Sequence, residues 1–243
     1  MVILEGFKLS QCRGLESGVM DSSSKVIVVE APVAMVGEAI AQLNSQAKIH
    51  AEAFDRAIQA REQGIILFQL RGFDWTVLYK YKKGFRKSWI EELLSQLSDR
   101  LETRAMFLEI TDTAPYIYHQ IWESGESVEH FLYDYYYVDE NDYIGESKVL
   151  KLESQIRQVS EADVSHNALN DFYSEQGVYF PDLQITSEPL EQDNQSSFTF
   201  KVSGIFDWCL SEQFKGISSE DCLKSYSLER DDFEGFDYIT FDD

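Results

Sequence analysis

The sequence predicts a mixed α+β fold, a mainly antiparallel sheet with helices packed on one face and a long acidic loop after a central hairpin. Three observations carry that expectation. Runs of strand length recur in the first half of the chain, at Val26 to Val29, Ile65 to Leu70 and Ala105 to Ile110. Apolar stripes at helical spacing stand between them. Tight turns separate neighbouring runs, as antiparallel returns require.

In chain order, residues 1 to 24 are rich in Gly and Ser, and the β-branched run from Val26 to Val29 then reads as a buried strand. Pro32 stands at a plausible first helical position, and Val33, Val36, Ile40 and Leu43 follow at helical spacing. Ile49, Ala53, Ala57 and Ile58 predict a second helix ending at Gly64. Ile65 to Leu70 predicts a central strand. Arg71-Gly72-Phe73-Asp74 predicts a turn, because Trp75, Val77, Tyr79 and Tyr81 then alternate with Thr76, Leu78 and Lys80.

Ser88-Trp89-Ile90-Glu91 has the spacing of a capping box and predicts a helix start, with Ile90, Leu94, Leu97 and Leu101 as the apolar stripe. A strand at Ala105 to Ile110 and a hairpin, Tyr116 to Trp122 and Val128 to Tyr133 around Ser124-Gly125-Glu126-Ser127, come next. Asp134 to Glu146 is the long surface loop. Val149, Leu152, Ile156 and Val159 predict one more helix, and Val164, Ala168, Leu169 and Phe172 another that ends near Gly177. Ser187 to Ser196 is polar and contains Pro189, a loop or linker. Phe198 to Val202 and Phe236 to Phe241 alternate as strands do. Residues 1–243 read as one α+β domain, with a subdivision into a sheet-and-helix core at 25–133 and an acidic part at 147–243 as the alternative.

The chain has 243 residues, 44% hydrophobic and 14% aromatic, so it can bury a large core. Residues 1 to 10 lack a basic-then-apolar leader pattern, and no stretch approaches the roughly 18 apolar residues that span a bilayer. The three cysteines, Cys12, Cys209 and Cys222, form no close pair. A reducing, cytoplasmic setting without disulfides or membrane contact is expected.

Formal charge is −22, and its distribution is uneven. Residues 1 to 104 hold 14 basic and 13 acidic side chains; residues 105 to 243 hold 7 basic and 30 acidic, a net of −23. That half repels phosphates and anionic lipid and attracts a basic protein. The segment Asp134, Tyr135, Tyr136, Tyr137, Asp139, Glu140, Asp142 and Tyr143 is the candidate partner-binding surface. Tyrosine offers contact area at low entropic cost, and carboxylates steer and pair with Arg or Lys. The plain alternative is that the tyrosines cover the core while the carboxylates face water.

The leading expectation is therefore a non-catalytic acidic binding protein, inhibitor-like or immunity-like, docking a basic partner such as a nucleic-acid-acting enzyme or toxin. No cofactor, metal, nucleic acid or membrane is expected. The second expectation is an enzyme of unfamiliar type with an acid–base site around His119, its carboxylate supplied by Glu109, Asp112 or Glu129.

Other motifs are weaker. Gly-rich Gly-Lys-Ser/Thr loops, His-Glu-x-x-His and Gly-x-Ser-x-Gly are absent. Ser22-Ser23-Ser24-Lys25 matches Ser-x-x-Lys but lacks companion motifs. Asp139, Asn141 and Asp142 fail calcium-loop spacing, since Tyr143 and Ile144 hold the fifth and sixth places. Lys80, Lys82, Lys83, Arg86 and Lys87, interleaved with Tyr81, Phe85 and Trp89, form a basic cluster that reads as neutralising the acidic half rather than as a nucleic-acid surface. His119 and His130 share a face if the turn is a two-residue loop at Gly125-Glu126, and lie on opposite faces if the loop differs by one residue.

Overall fold

The computed structural model describes residues 14–15, 24–53, 58–59, 64–81, 86–111, 116–134, 148–180, 182–189, 195–203, 225–227 and 230–241. Along the chain these form β1 (Gly14–Leu15), β2 (Ser24–Val29), α1 (Val33–Leu43), β3 (Ala47–His50), β4 (Ile58–Gln59), β5 (Gly64–Leu70), β6 (Thr76–Tyr81) and α2 (Lys87–Arg100). They continue with β7 (Arg104–Thr111), β8 (Tyr116–Glu123), β9 (Glu126–Asp134), β10 (Lys148–Ser154), α3 (His166–Glu175), β11 (Tyr179–Phe180), β12 (Asp182–Pro189), β13 (Gln195–Ser203), β14 (Ser225–Ser227) and β15 (Phe233–Phe241). The fold is mixed α+β.

Its centre is a nine-stranded sheet in the order β10-β9-β8-β7-β2-β6-β5-β15-β3, with every adjacent pair antiparallel. A smaller sheet of β12, β13 and β14 takes β4 at its side, and β1 pairs with β11. β15 lies between β5 and β3, so the end of the chain completes the sheet begun near its start. Gly64 makes that pairing feasible: a Cβ there would collide with the Ile239 carbonyl.

Because side chains alternate across a strand, the sheet has two apolar faces. Val33, Val36 and Ile40 of α1 and Ile90, Leu94 and Leu97 of α2 bury against Ile27, Val29, Leu67, Phe107 and Trp122. On the opposite face Leu169, Phe172 and Tyr173 of α3 join Val28, Phe68, Met106, Ile121, Phe131 and Phe236. The sequence expectation of helices on one face is thus corrected. Both faces of this sheet carry apolar rows, and each needs a cover.

Two expected helices are also corrected. Ile49 lies in β3 and Ile58 in β4, while Val149 and Leu152 lie in β10. The β10 pairing with β9 shifts register between Val149 and Lys151, which leaves Leu150 as an exposed bulge residue. An extra residue in an edge strand breaks the period of two, so its apolar spacing mimics a helix. The polar stretch from Ser187 likewise belongs partly to β12 and β13. At α2, Arg86 is the N-cap residue and no side-chain cap forms, so Ser88 sits inside the first turn. Pro32 is the N-cap residue of α1. Among the described residues no helix is long and apolar enough to cross a membrane.

The β8–β9 turn sets which side chains of the hairpin share a face. Ser124 and Gly125 both have positive φ, 48° and 82°, as a two-residue primed turn requires. Glu123 therefore pairs with Glu126, and a register shift beside Trp122 then leaves Val128 without a β8 partner and sets Gln120 opposite His130. α2 holds the turn, with Ser95 Oγ donating to the Gly125 carbonyl at 2.7 Å and Gly125 N–H donating to Ser98 Oγ at 3.0 Å.

Candidate functional site

The turn and bulge put His119 and His130 on opposite faces of the sheet, and each gathers its own cluster. His119 faces α3 and is fully buried, its ring packed on Phe131, Phe172 and Tyr173. Its Nε2 lies 2.9 Å from Glu129 Oε1 and its Nδ1 lies 3.2 Å from the Tyr173 hydroxyl. A carboxylate only accepts, so Nε2 carries the proton and Nδ1 accepts from the tyrosine.

Glu129 is the hub of the cluster. Its side chain is 0% exposed, and Arg157 grips it with Nε donating to Oε2 at 2.9 Å and Nη2 to Oε1 at 3.0 Å. Arg157 Nη1 continues to Asp163 Oδ1 at 2.9 Å, and the guanidinium stacks over the Phe172 ring at 4.4 Å. Asp163 also accepts from Ser160 N–H and Oγ, closing a capping box.

Burial pushes the Glu129 carboxyl up, but hydrogen bonds from His119 and Arg157 outweigh it and hold the group below the usual carboxylate range. Burial pushes the His119 imidazole below its ordinary value despite Glu129. The chain Tyr173–His119–Glu129–Arg157–Asp163 is thus a neutral imidazole joined to a fully paired carboxylate. A buried charge survives only with such partners.

The reverse face carries the second cluster, nearer to solvent. Tyr118 donates its hydroxyl to Glu91 Oε1 at 2.7 Å, and Lys87 Nζ sits 3.1 Å from the Tyr118 ring centroid while donating to the Tyr116 hydroxyl at 2.6 Å. Lys25 pairs with Glu109 at 2.5 Å beside them. The His130 ring meets the Tyr118 ring edge to face at 5.0 Å, and its Nε2 finds no hydrogen-bond partner among the described residues.

Four groups here are shifted. Burial lowers the Lys87 amine against the raising pull of Glu91 and Glu109. Burial, with Glu109, Asp134 and Glu91, pushes Tyr116 up to about 12. Burial and the Glu91 hydrogen bond push Tyr118 higher still. Burial, with Lys151 and Lys87, brings His130 down to about 4.

A cleft of about 500 Å³ opens where β9 and β10 meet the following loop, lined by Glu129, His130, Leu152, Ser154, Arg157 and Val159 among others. His119 does not line it. The fully buried imidazole is therefore shielded from the cleft by Glu129 and Arg157.

Of the predicted partner-binding residues, Asp134 ends β9 opposite both Tyr116 and Lys148. Tyr135, Tyr136, Tyr137, Asp139, Glu140, Asp142 and Tyr143 lie outside the described residues, as does the acidic loop that holds them. Of the carboxylates considered for His119, Glu129 meets it, Glu109 pairs with Lys25 on the other face, and Asp112 lies outside the described residues. His50 meets Thr240 Oγ1 at 3.1 Å. Among the described residues no group of three or more His, Cys, Asp or Glu side chains could hold a metal ion.

Sequence reasoning missed Arg157, Asp163 and Tyr173. The Ser160 to Asp163 spacing of a capping box was the one visible signal. No protein-family model, curated protein or solved structure matches the chain.

Proposed function

We propose that this protein is a non-catalytic acidic binding protein, of the inhibitor or immunity kind, that docks a basic protein partner in the cytoplasm through its electronegative, tyrosine-rich segment at Asp134 to Tyr143. The carrying observation is the net charge of −23 on residues 105 to 243 against +1 on residues 1 to 104, from 7 basic and 30 acidic side chains against 14 and 13. A field of that sign draws a cationic surface and speeds its encounter.

Two features support the reading. Asp134 and Lys148 are directly paired, so the connection between them starts and ends at one point of the sheet, on the edge pair β9–β10. A docking segment held at both ends has less freedom to lose on binding. Acid–base catalysis at His119 would require a substrate to reach an imidazole that is 0% exposed and already bonded at both nitrogens.

The test is co-purification of the full chain from its native cell at low salt, with affinity then measured for the protein recovered. Affinity should fall steeply with salt and should drop at least about tenfold when Asp134, Asp139, Glu140 and Asp142 are neutralised together. A loss of less than about threefold between low and physiological salt would count against electrostatic docking.

A further inference from the structure

We infer that Lys87 is an imine-forming amine, a site at which a small uncharged aldehyde condenses with the chain, with the Tyr116 hydroxyl as its proton relay. Docking at Asp134 to Tyr143 plays no part in this chemistry.

The placement of Nζ carries it. Lys87 opens α2 and lies over β8, where it contacts a phenol oxygen at 2.6 Å and a ring face at 3.1 Å, both neutral. Among the described residues no carboxylate oxygen lies within 4.0 Å of this amine, whereas Lys25 and Lys151 each have such a partner. A half-buried ammonium with neutral neighbours loses hydration without a full counter-charge, and lysines so placed serve as Schiff-base nucleophiles.

Among the described residues, the charged groups that act on it are Lys25 on β2, Glu91 on α2 and Glu109 on β7. Burial is the larger influence and favours the free amine. Two carboxylates against one further cation, among the described residues, make the spot inhospitable to an anion, hence an uncharged aldehyde.

The step is a condensation and involves no redox change. The Nζ lone pair forms a bond to the carbonyl carbon while the C=O π pair moves to oxygen. Tyr116, held protonated, supplies the proton to that oxygen and recovers one from the new ammonium. Loss of the hydroxyl as water then leaves a C=N bond, so amine plus aldehyde gives imine plus water.

The experiment treats the full chain with glycolaldehyde and cyanoborohydride near pH 7 and maps the reduced adducts by peptide mass spectrometry. Lys48, an exposed residue of β3, is the internal reference. Burial and the neutral contacts of its Nζ favour the free amine, so Lys87 should label faster than the exposed Lys48. Equal or slower labelling of Lys87 overturns the inference. Tyr116→Phe should slow Lys87 at least about twofold while leaving Lys48 unchanged, and an unchanged Lys87 rate would overturn the relay.

Discussion

The two faces of β8 hold the same kinds of side chain and put them to opposite ends. On the α3 side, His119, Glu129, Arg157 and Tyr173 form a sealed network in which every polar atom has a partner. On the α2 side, Tyr116, Lys87 and His130 are only half-buried, and one imidazole nitrogen there is bonded to nothing among the described residues. A complete buried network fixes a single arrangement of the core. An incomplete one near the surface keeps groups available for a ligand.

Breaking the sealed face should cost most. Glu129→Ala would leave the buried His119 N–H without an acceptor and strip two hydrogen bonds from Arg157, and a loss of about 3–5 kcal/mol is expected in urea unfolding. Replacing both members, Glu129→Leu with Arg157→Met, should recover the part of that loss due to the guanidinium, while the His119 N–H stays without an acceptor.

Acid should weaken the protein in a defined order. His119 and His130 are both depressed in the folded state, so the unfolded chain takes up their protons first. Stability is then full above the unfolded histidine value of about 6.5 and falls below it by up to about 1.4 kcal/mol per pH unit for each group. For His130 the window closes at about 4. Glu129, also depressed, adds a loss of the same sign once the pH drops below the usual carboxylate range. Urea titrations at about pH 7, 6 and 5 read this directly, and His130→Gln should retain the share due to His119. A flat profile across that range would show that the two faces do not hold neutral imidazoles.

Smaller effects sharpen the contrast. Tyr173→Phe removes the donor to a buried Nδ1 and should cost about 1–2 kcal/mol by thermal or urea unfolding. Lys87→Met, on the looser face, should cost under about 1 kcal/mol, since it loses one phenol hydrogen bond and its cation–π contacts with Tyr116 and Tyr118. If Lys87→Met proved as costly as Glu129→Ala, the distinction between a structural and an available face would collapse.

Much of the sheet was legible in the sequence because its inner strands are either continuous apolar runs or clean alternations. Ile65 to Leu70 and Ala105 to Ile110 fall within β5 and β7 as expected. α3 was legible at its end, which stops before Gly177 at φ 70°, while its start follows Ser165, whose side chain accepts from Ala168 N–H, two residues beyond the expected Val164. β10 was not, because its bulge gave Val149 and Leu152 a helix-like spacing. Within the site, His119 with Glu129 was visible as one of three pairings. The choice depended on a turn and a bulge that no local rule settles.

By itself the sequence determined the charge asymmetry, the α+β composition and the chemical types available on the central hairpin, because these follow from which residues are present and from short-range periodicity. Tertiary structure alone decided which histidine was sealed and which was left near water. One residue without a β8 partner, Val128, turns every later side chain of β9 to the other side, and contacts such as that of His119 with Tyr173 join positions 54 apart in the chain.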